Sequence, residues 1–389
     1  METLRIWQRV ADNGPLLVAA RDTDPTDPAA VARLRRDHDA DTVRIALQLV
    51  RAREKAAIKF GHRASELIAD PEGVEQASSF HVAAYKAGLF KRVCAMPSVI
   101  DACCGVGGDA MAFVEAGLTV TAVDADPVRA WMASRNAGSP SAVADVSTLD
   151  MTGQLLHLDP ARRAAGRRVF ELDDLIPKPS VIRGLIERAA GSMIKLGPGI
   201  DVEQTQAKLG AGHATFISER GRLVQALWLT GLLQPTAPRT AVAIDAQGNT
   251  LALAGDIDKP ECEQTALPGR FLLTVDPAVE RAELLQRIGL PMLHPRLGLF
   301  TTDSLADIPS ESRGWLIAFE LLEDQPFRER AIKTWLRDHD AGIVEVKTRD
   351  KAADPDRLQT ALRGKGDTPY CVFVLRFDRQ VRALITRRV

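Results

Sequence analysis

Up to Pro97, apolar residues recur at intervals of three and four among many charges, as in "AAVARLRRDH" and "DTVRIALQLVRAREKAAIKF". That spacing predicts amphipathic helices. "ADPEG" supplies the Asp, Pro and Gly of a turn, and "GVEQASSFHVAAYKAGLF" then resumes the helical pattern. From Ser98 the texture changes. The short runs "SVIDAC", "TVTAVDA", "SAVADV", "QLLHLD" and "SMIKLG" are mostly separated by helical stretches, which predicts a largely parallel βαβ sheet covered on both faces. "ATFISE", "LVQALWLT" and "TAVAID" follow without helices between them, so the sheet is expected to end in an antiparallel section. After "AGDIDKPECEQTALPGR", a third region reads β-α-β-α-β-β through "GWLIAFEL", "FRERAIKTWLRDHD", "GIVEVKTR", "DPDRLQTALRG", "YCVFVLRF" and "VRALITRR". It predicts a small α/β module whose sheet is open on one face. The expected organisation is a helical region over 1–97, a sheet domain over 98–258 and a C-terminal module over 259–389.

Composition narrows the class. Hydrophobic residues make up 46% of the 389 and charged residues 26%, as in ordinary globular proteins. No apolar run reaches the ~18 residues of a membrane-spanning helix, and the opening residues lack signal-peptide architecture. Cys94, Cys103, Cys104, Cys262 and Cys371 are irregularly spaced. They fit neither a disulfide framework nor a metal pattern, so a reducing cytoplasm is expected. The seven histidines form no HxxxH or HxH pair, which predicts no metal site. A net charge of −1 argues against coating nucleic acid by bulk charge and leaves room for a local basic face. From Ala331 to Val389 there are 13 Lys/Arg against 8 Asp/Glu.

The candidate chemistry centres on "VIDACCGVGGDA" (99–110). In an open parallel sheet, ligands bind beyond the carboxyl ends of the strands. Gly105, Gly107 and Gly108 would let the chain turn sharply and a ligand approach the backbone. Gly105-x-Gly107-x-x-Ala110 also satisfies a loose dinucleotide pattern, but Asp101 would set a negative charge against a pyrophosphate. A cationic ligand suits that acid better. Asp124 in "VDADP" is placed for two ribose hydroxyls, and Asp145 in "ADVS" for an adenine amino group. Acids ending three successive strands match an adenosine–amino-acid conjugate, S-adenosylmethionine. Asp159-Pro160 in "LDPARR" ends the fourth strand and would border the methyl group.

Together these stretches resemble class I S-adenosylmethionine-dependent methyltransferases, and more closely the bacterial THUMP-like-domain methyltransferases. The resemblance runs from about residue 50 to the end, through "EKAAIKF", "DACCGVGGDA", "VDADP", "LDPARR", "GRRVFELDD", "KLGPGID" and "GIVEVKTRD". It implies an α/β fold: a seven-stranded Rossmann-like sheet with a reversed final strand, an N-terminal helical region and a THUMP-like or ferredoxin-like module from about residue 314. The candidate cofactor set is Asp101, Cys103, Gly105, Gly107, Gly108, Asp124, Ala125 and Asp145. The family usually carries glycine where Cys103 stands; Cys103 and Cys104 read as inert thiols. A more distant likeness, to trimethylguanosine synthases, adds Gln76 and Ser78, with Ser79, from the helix before the glycine loop. Those residues also read as a helix cap.

At the acceptor side, Asp159 could accept a hydrogen bond from an exocyclic amine, with Pro160 keeping the loop rigid. Methyltransferases of base amines usually follow Asp-Pro with Pro and an aromatic; here Ala161 and Arg162 stand there. An Arg plane can stack on a base or pair with a phosphate. Pyrimidine C5 chemistry needs a cysteine near the site, and "KLGPGID" has none. Arg162 and Arg163, with Arg167 and Arg168, suit a polyanion, and Lys347 and Arg349 add a second candidate contact. RNA is therefore the expected substrate. An RNA-binding module with an idle cofactor pocket, or a methyltransferase of protein or a small molecule, are the alternatives.

Overall fold

The computed structural model describes residues 2–93, 98–162, 172–256, 262–294, 297–349, 352–377 and 379–389. The chain forms two compact units, Met1–Pro238 with Ile244–Thr250, and Arg239–Ala243 with Leu251–Val389.

The first unit opens with helices, among them Glu2–Ala11, Gly14–Arg21, Pro28–Leu34 and the long Ala40–Phe60. Asp39 starts the last of these by accepting from Thr42 N at 2.9 Å, a side-chain cap. The stretch read as one helical run divides into Pro71–Gln76 and Phe80–Lys91, because Ser79 caps the second helix at Val82 N. Trp7, Val10, Leu49, Phe60 and Val74 bury themselves in one cluster with Val106 and Met132. The N-terminal helices therefore support the glycine loop directly.

Strands β1 (Ser98–Ala102), β2 (Thr119–Asp124), β3 (Ser141–Val143), β4 (Leu155–Leu158), β5 (Gly191–Leu196), β6 (His213–Glu219), β7 (Arg222–Gly231), β8 (Arg239–Ile244) and β9 (Thr250–Gly255) form one sheet. Its order is β9-β8-β6-β7-β5-β4-β1-β2-β3. The run from β3 to β5 is parallel, and β7 lies antiparallel to both β5 and β6. Nine strands replace the seven expected. β8 and β9 extend the sheet, joined by a turn in which Asp245 accepts from Gln247 N and Asn249 N at 2.8 and 2.9 Å. β9 buries almost nothing, so "TLALAG" carries no core signature to read.

The second unit carries β10 (Phe271–Val275), β11 (Met292–His294), β12 (Leu299–Thr302), β13 (Leu316–Pro326), β14 (Ala341–Thr348), β15 (Thr368–Phe377) and β16 (Gln380–Arg388). Their order is β11-β12-β10-β13-β16-β15-β14. Helices Glu329–Asp338 and Pro355–Leu362 complete the β-α-β-α-β-β pattern. Ile332, Leu336, Leu358 and Leu362 pack with Val344, Val346, Tyr370, Val372 and Val374. The opposite face is not open. Cys371, Phe373, Leu375 and Leu384 are buried there with Leu272, Leu293, Leu299 and Phe319. The unbroken apolar run "YCVFVL" reflects burial on both faces.

Candidate functional site

Between β1 and the helix Gly108–Glu115 the chain doubles back through Cys103, Gly105 and Gly107, with φ of +55°, +55° and +79°. The left-handed region costs an L residue about 1–2 kcal/mol, a cost Cys103 bears. A Cβ on Gly107 would lie 2.6 Å from Ala133 Cα, and one on Gly108 would lie 3.2 Å from the Phe60 ring. Gly107 is required by packing against backbone, and Gly108 is closely packed against side chains. A Cβ on Gly105 would meet nothing within 4 Å, so that position borders open space.

Four carboxylates converge beside this loop. Burial, and then Asp124, Asp159, Asp101 and Asp145, push the Cys103 thiol up to about 12. Asp124 accepts from Gly105 N at 3.0 Å and Asp126 N at 2.9 Å, and burial raises its pKa. Ala125 beside it is exposed. Asp145 is exposed and accepts from Ser147 Oγ at 2.7 Å and Ser147 N at 2.8 Å, contacts that lower its pKa. Asp159 follows β4 and is half-buried; its Oδ2 accepts from Lys195 Nζ at 2.6 Å. Pro160 is buried.

Asp101 lies deepest, 1% exposed. Its Oδ1 is 2.6 Å from His157 Nδ1, while its buried Oδ2 has no hydrogen-bond partner among the described residues. His157 Nε2 lies 3.2 Å from Lys86 Nζ. An ammonium only donates, so Nε2 must accept, which leaves a neutral His157 donating its Nδ1 proton to Asp101. Lys86 also donates to Ser78 Oγ at 3.1 Å and ion-pairs with Asp109. Burial raises the pKa of Asp101 and lowers that of Lys86. At Asp109, burial acts upward but the charge of Lys86, with that of Lys195 behind it, outweighs it, holding the acid well below its usual range. The cluster thus balances one cation against two carboxylates, one oxygen of which is unpaired.

Ser78 is buried within this network and also contacts Gln225 Oε1 and Asp109 Oδ2, each at 3.3 Å. Gln76 is exposed; its amide donates to Glu72 and its carbonyl accepts from Lys195. Arg162 lies in a two-residue strand paired with Leu175–Ile176; its side chain, and all of Arg163, Arg167 and Arg168, lie outside the described residues. In the second unit, Lys347 ion-pairs with Glu345 at 2.9 Å and Arg349 is exposed. Among the described residues, no group of three or more His, Cys, Asp or Glu could hold a metal ion, and no helix is long and apolar enough to cross a membrane. Sequence reasoning passed over Lys86, Asp109, His157 and Lys195. The signal available was a lone polar residue inside the apolar runs "VAAYKAGLF", "LLHL" and "SMIKL", since buried polar groups require partners.

An S-adenosylmethionine-dependent methyltransferase of Mycobacterium tuberculosis, found in strains CDC 1551 and H37Rv, is 33% identical over 342 residues, covering 83% of this chain and 90% of its own. The chain belongs to the S-adenosylmethionine-dependent methyltransferases. Residues 316–388 match the family described as THUMP domain-like. A crystal structure of a protein from Porphyromonas gingivalis W83 assigned as a methyltransferase superposes with a TM-score of 0.71 at 18% identity, covering 100% of this chain and 98% of that one. That likeness extends the fold over the whole length.

As a methyltransferase, the chain must offer an acceptor for an ammonium, acceptors for ribose and adenine, and room at the backbone. The residues fit. Asp101 Oδ2 is an unpaired buried acceptor, Gly105 borders open space, and Asp124 and Asp145 end or follow the next two strands.

Proposed function

We propose that this methyltransferase modifies RNA, with Asp159 meeting the acceptor and the loop after β1 holding the cofactor. The observation that carries the reading is the placement of Asp101, Asp124, Asp145 and Asp159 at or just beyond the carboxyl ends of four adjacent parallel strands, beside the open space at Gly105. S-adenosylmethionine, held by these residues, would supply an electrophilic methyl group for a lone pair of the acceptor, whose displaced proton would pass to solvent.

The chain's own work is positioning, which can supply ~7–11 kcal/mol of a barrier. Asp101 compensates the ammonium, Asp124 with Ala125 takes the ribose, and Asp145 takes the adenine amine. Cys103 and Gly105 shape the near wall, Gly107 and Gly108 fix the turn, and Gln76 and Ser78 close the side nearest the N-terminal helices. Pro160 keeps Asp159 in place. RNA is favoured by the THUMP domain-like match and by the excess of cations from Ala331 onward; Lys347 and Arg349 would contact its backbone.

Asp159→Ala should leave cofactor affinity within about two-fold of wild type and lower label transfer to cellular RNA by about 100-fold. Wild-type protein that binds both cofactor and RNA yet transfers no label would favour an RNA-binding module instead.

A further inference from the structure

We propose that Lys195 is a positioning residue for methyl transfer, clamping Asp159 and the carbonyl of Gln76 into one arrangement. The inference rests on the reading that Asp159 meets the acceptor. In the parallel ladder Leu158, the last residue of β4, stands opposite Ile194 of β5, so Lys195 of β5 and Asp159, the first residue beyond β4, come next along the two chains. Asp159 N donates to Ala102 O of β1 at 3.2 Å, so its position beyond the strand is still held by the sheet. Lys195 Nζ lies 2.6 Å from Asp159 Oδ2 and 3.1 Å from Gln76 O.

The second contact gives the lysine more than a charge-balancing part. The helix Pro71–Gln76 is short, and its last carbonyls lack intrahelical partners. Lys59 Nζ takes three carbonyls of this segment, at 2.8 Å from Val74 O, 2.6 Å from Glu75 O and 2.8 Å from Ala77 O. Lys195 takes the fourth, Gln76 O. Two ammoniums thus gather at one helix C-terminus, where cations are favoured, although they repel each other. Burial first, and Lys195 next, lower the pKa of Lys59. That repulsion is offset on the Lys195 side by Asp159. Removing Asp159's partner would loosen both the carboxylate and the segment leading to Ser78, which is buried against Lys86 and Asp109.

The side chains of Lys195 and Asp159 are 15% and 29% exposed, dry enough for the pair to resist screening while the carboxylate still reaches an acceptor. With Oδ2 committed to Lys195, Asp159 is left to present Oδ1. A carboxylate without that tether would sample other rotamers and misplace the acceptor.

The test compares Lys195→Met, Lys195→Arg, Asp159→Ala and Asp159→Ala/Lys195→Met in the full chain, with labelled S-adenosylmethionine and total cellular RNA. Lys195→Met should lower kcat about 10- to 100-fold, the scale of a missing charged hydrogen bond, with cofactor affinity within about two-fold of wild type. Lys195→Arg should recover part of that loss, and Lys195→Met should add less than about three-fold in the Asp159→Ala background. Wild-type kcat in Lys195→Met, equal losses of kcat and cofactor affinity, or effects that multiply in the double variant would overturn the proposal. A second measurement needs no RNA: amide hydrogen exchange over 74–79 should quicken in Lys195→Met, and unchanged exchange there also overturns it. If wild-type protein transfers no label to RNA, the acceptor reading fails, and the exchange measurement alone decides whether Lys195 is a clamp.

Discussion

Gly105 and Gly107 sit two residues apart with the same sign of φ, yet they answer to different demands. Gly107 has the backbone of Ala133 against it and Gly105 has open space. Gly107→Ala should therefore destabilise folding by roughly 3 kcal/mol, combining overpacking with left-handed strain. Gly105→Val should cost about 1–2 kcal/mol of strain while weakening S-adenosylmethionine binding by at least about ten-fold, since its side chain enters the space assigned to the cofactor. Thermal melts and calorimetry separate the two effects; cofactor affinity unchanged in Gly105→Val would show that the space is not the cofactor's. The acids and glycines were legible because strand–turn–helix grammar fixes their place from local sequence alone. Lys195, His157 and Lys86 were not, because their partners lie far away along the chain. Lys86 meets His157 and Lys195 meets Asp159 only after the helix Phe80–Lys91 and strands β4 and β5 have packed.

Burial alone did not decide which elements were readable. β1, β4, β5 and β6 are apolar runs that match their predicted positions, whereas the exposed β9 and the short, buried β10, β11 and β12 went unread. β6 carries a testable consequence of burial. His213 at its start is fully buried, with Nδ1 on the carbonyl of Ala237, and burial lowers its pKa from 6.5 to about 4. The unfolded chain binds this proton below pH 6.5 and the folded protein refuses it until about pH 4. Stabilisation from the neutral ring is complete above pH 6.5 and is lost as pH falls through that window, by roughly 3 kcal/mol in all. Denaturant titrations of wild type and His213→Gln between pH 4 and 7 should show this slope in wild type and a flatter one in the variant. Parallel slopes would assign the proton uptake to another group.

At the scale of the whole molecule, the chain is nearly neutral, so the proposed RNA substrate would have to be held by a local surface. Much of the second unit's positive charge is already engaged: Arg337, Lys347, Arg357 and Arg387 pair with Asp338, Glu345, Glu329 and Glu320. Contacts to phosphate should accordingly be few, and they should position RNA without reading its sequence. Burial alternates along β14 from Gly342 to Val346, with Val344 and Val346 buried and Glu345 exposed, so that Lys347 leaves the face opposite the helices and Arg349 follows at the strand's end. Replacing Lys347 and Arg349 together with Glu should weaken binding to RNA of any sequence. The slope of log affinity against log salt should become shallower by about 0.7–0.9 for each phosphate the protein ceases to neutralise, hence by less than about two. Cofactor affinity should stay at the wild-type value, since Asp101, Gly105, Asp124 and Asp145 belong to the first unit. A filter-binding series across salt concentrations, run beside cofactor calorimetry, measures both. A strong loss of affinity with an unchanged slope would point to a folding defect. Unchanged affinity and slope would remove this strand end from the RNA surface and leave the cations around Arg162 as its main candidates.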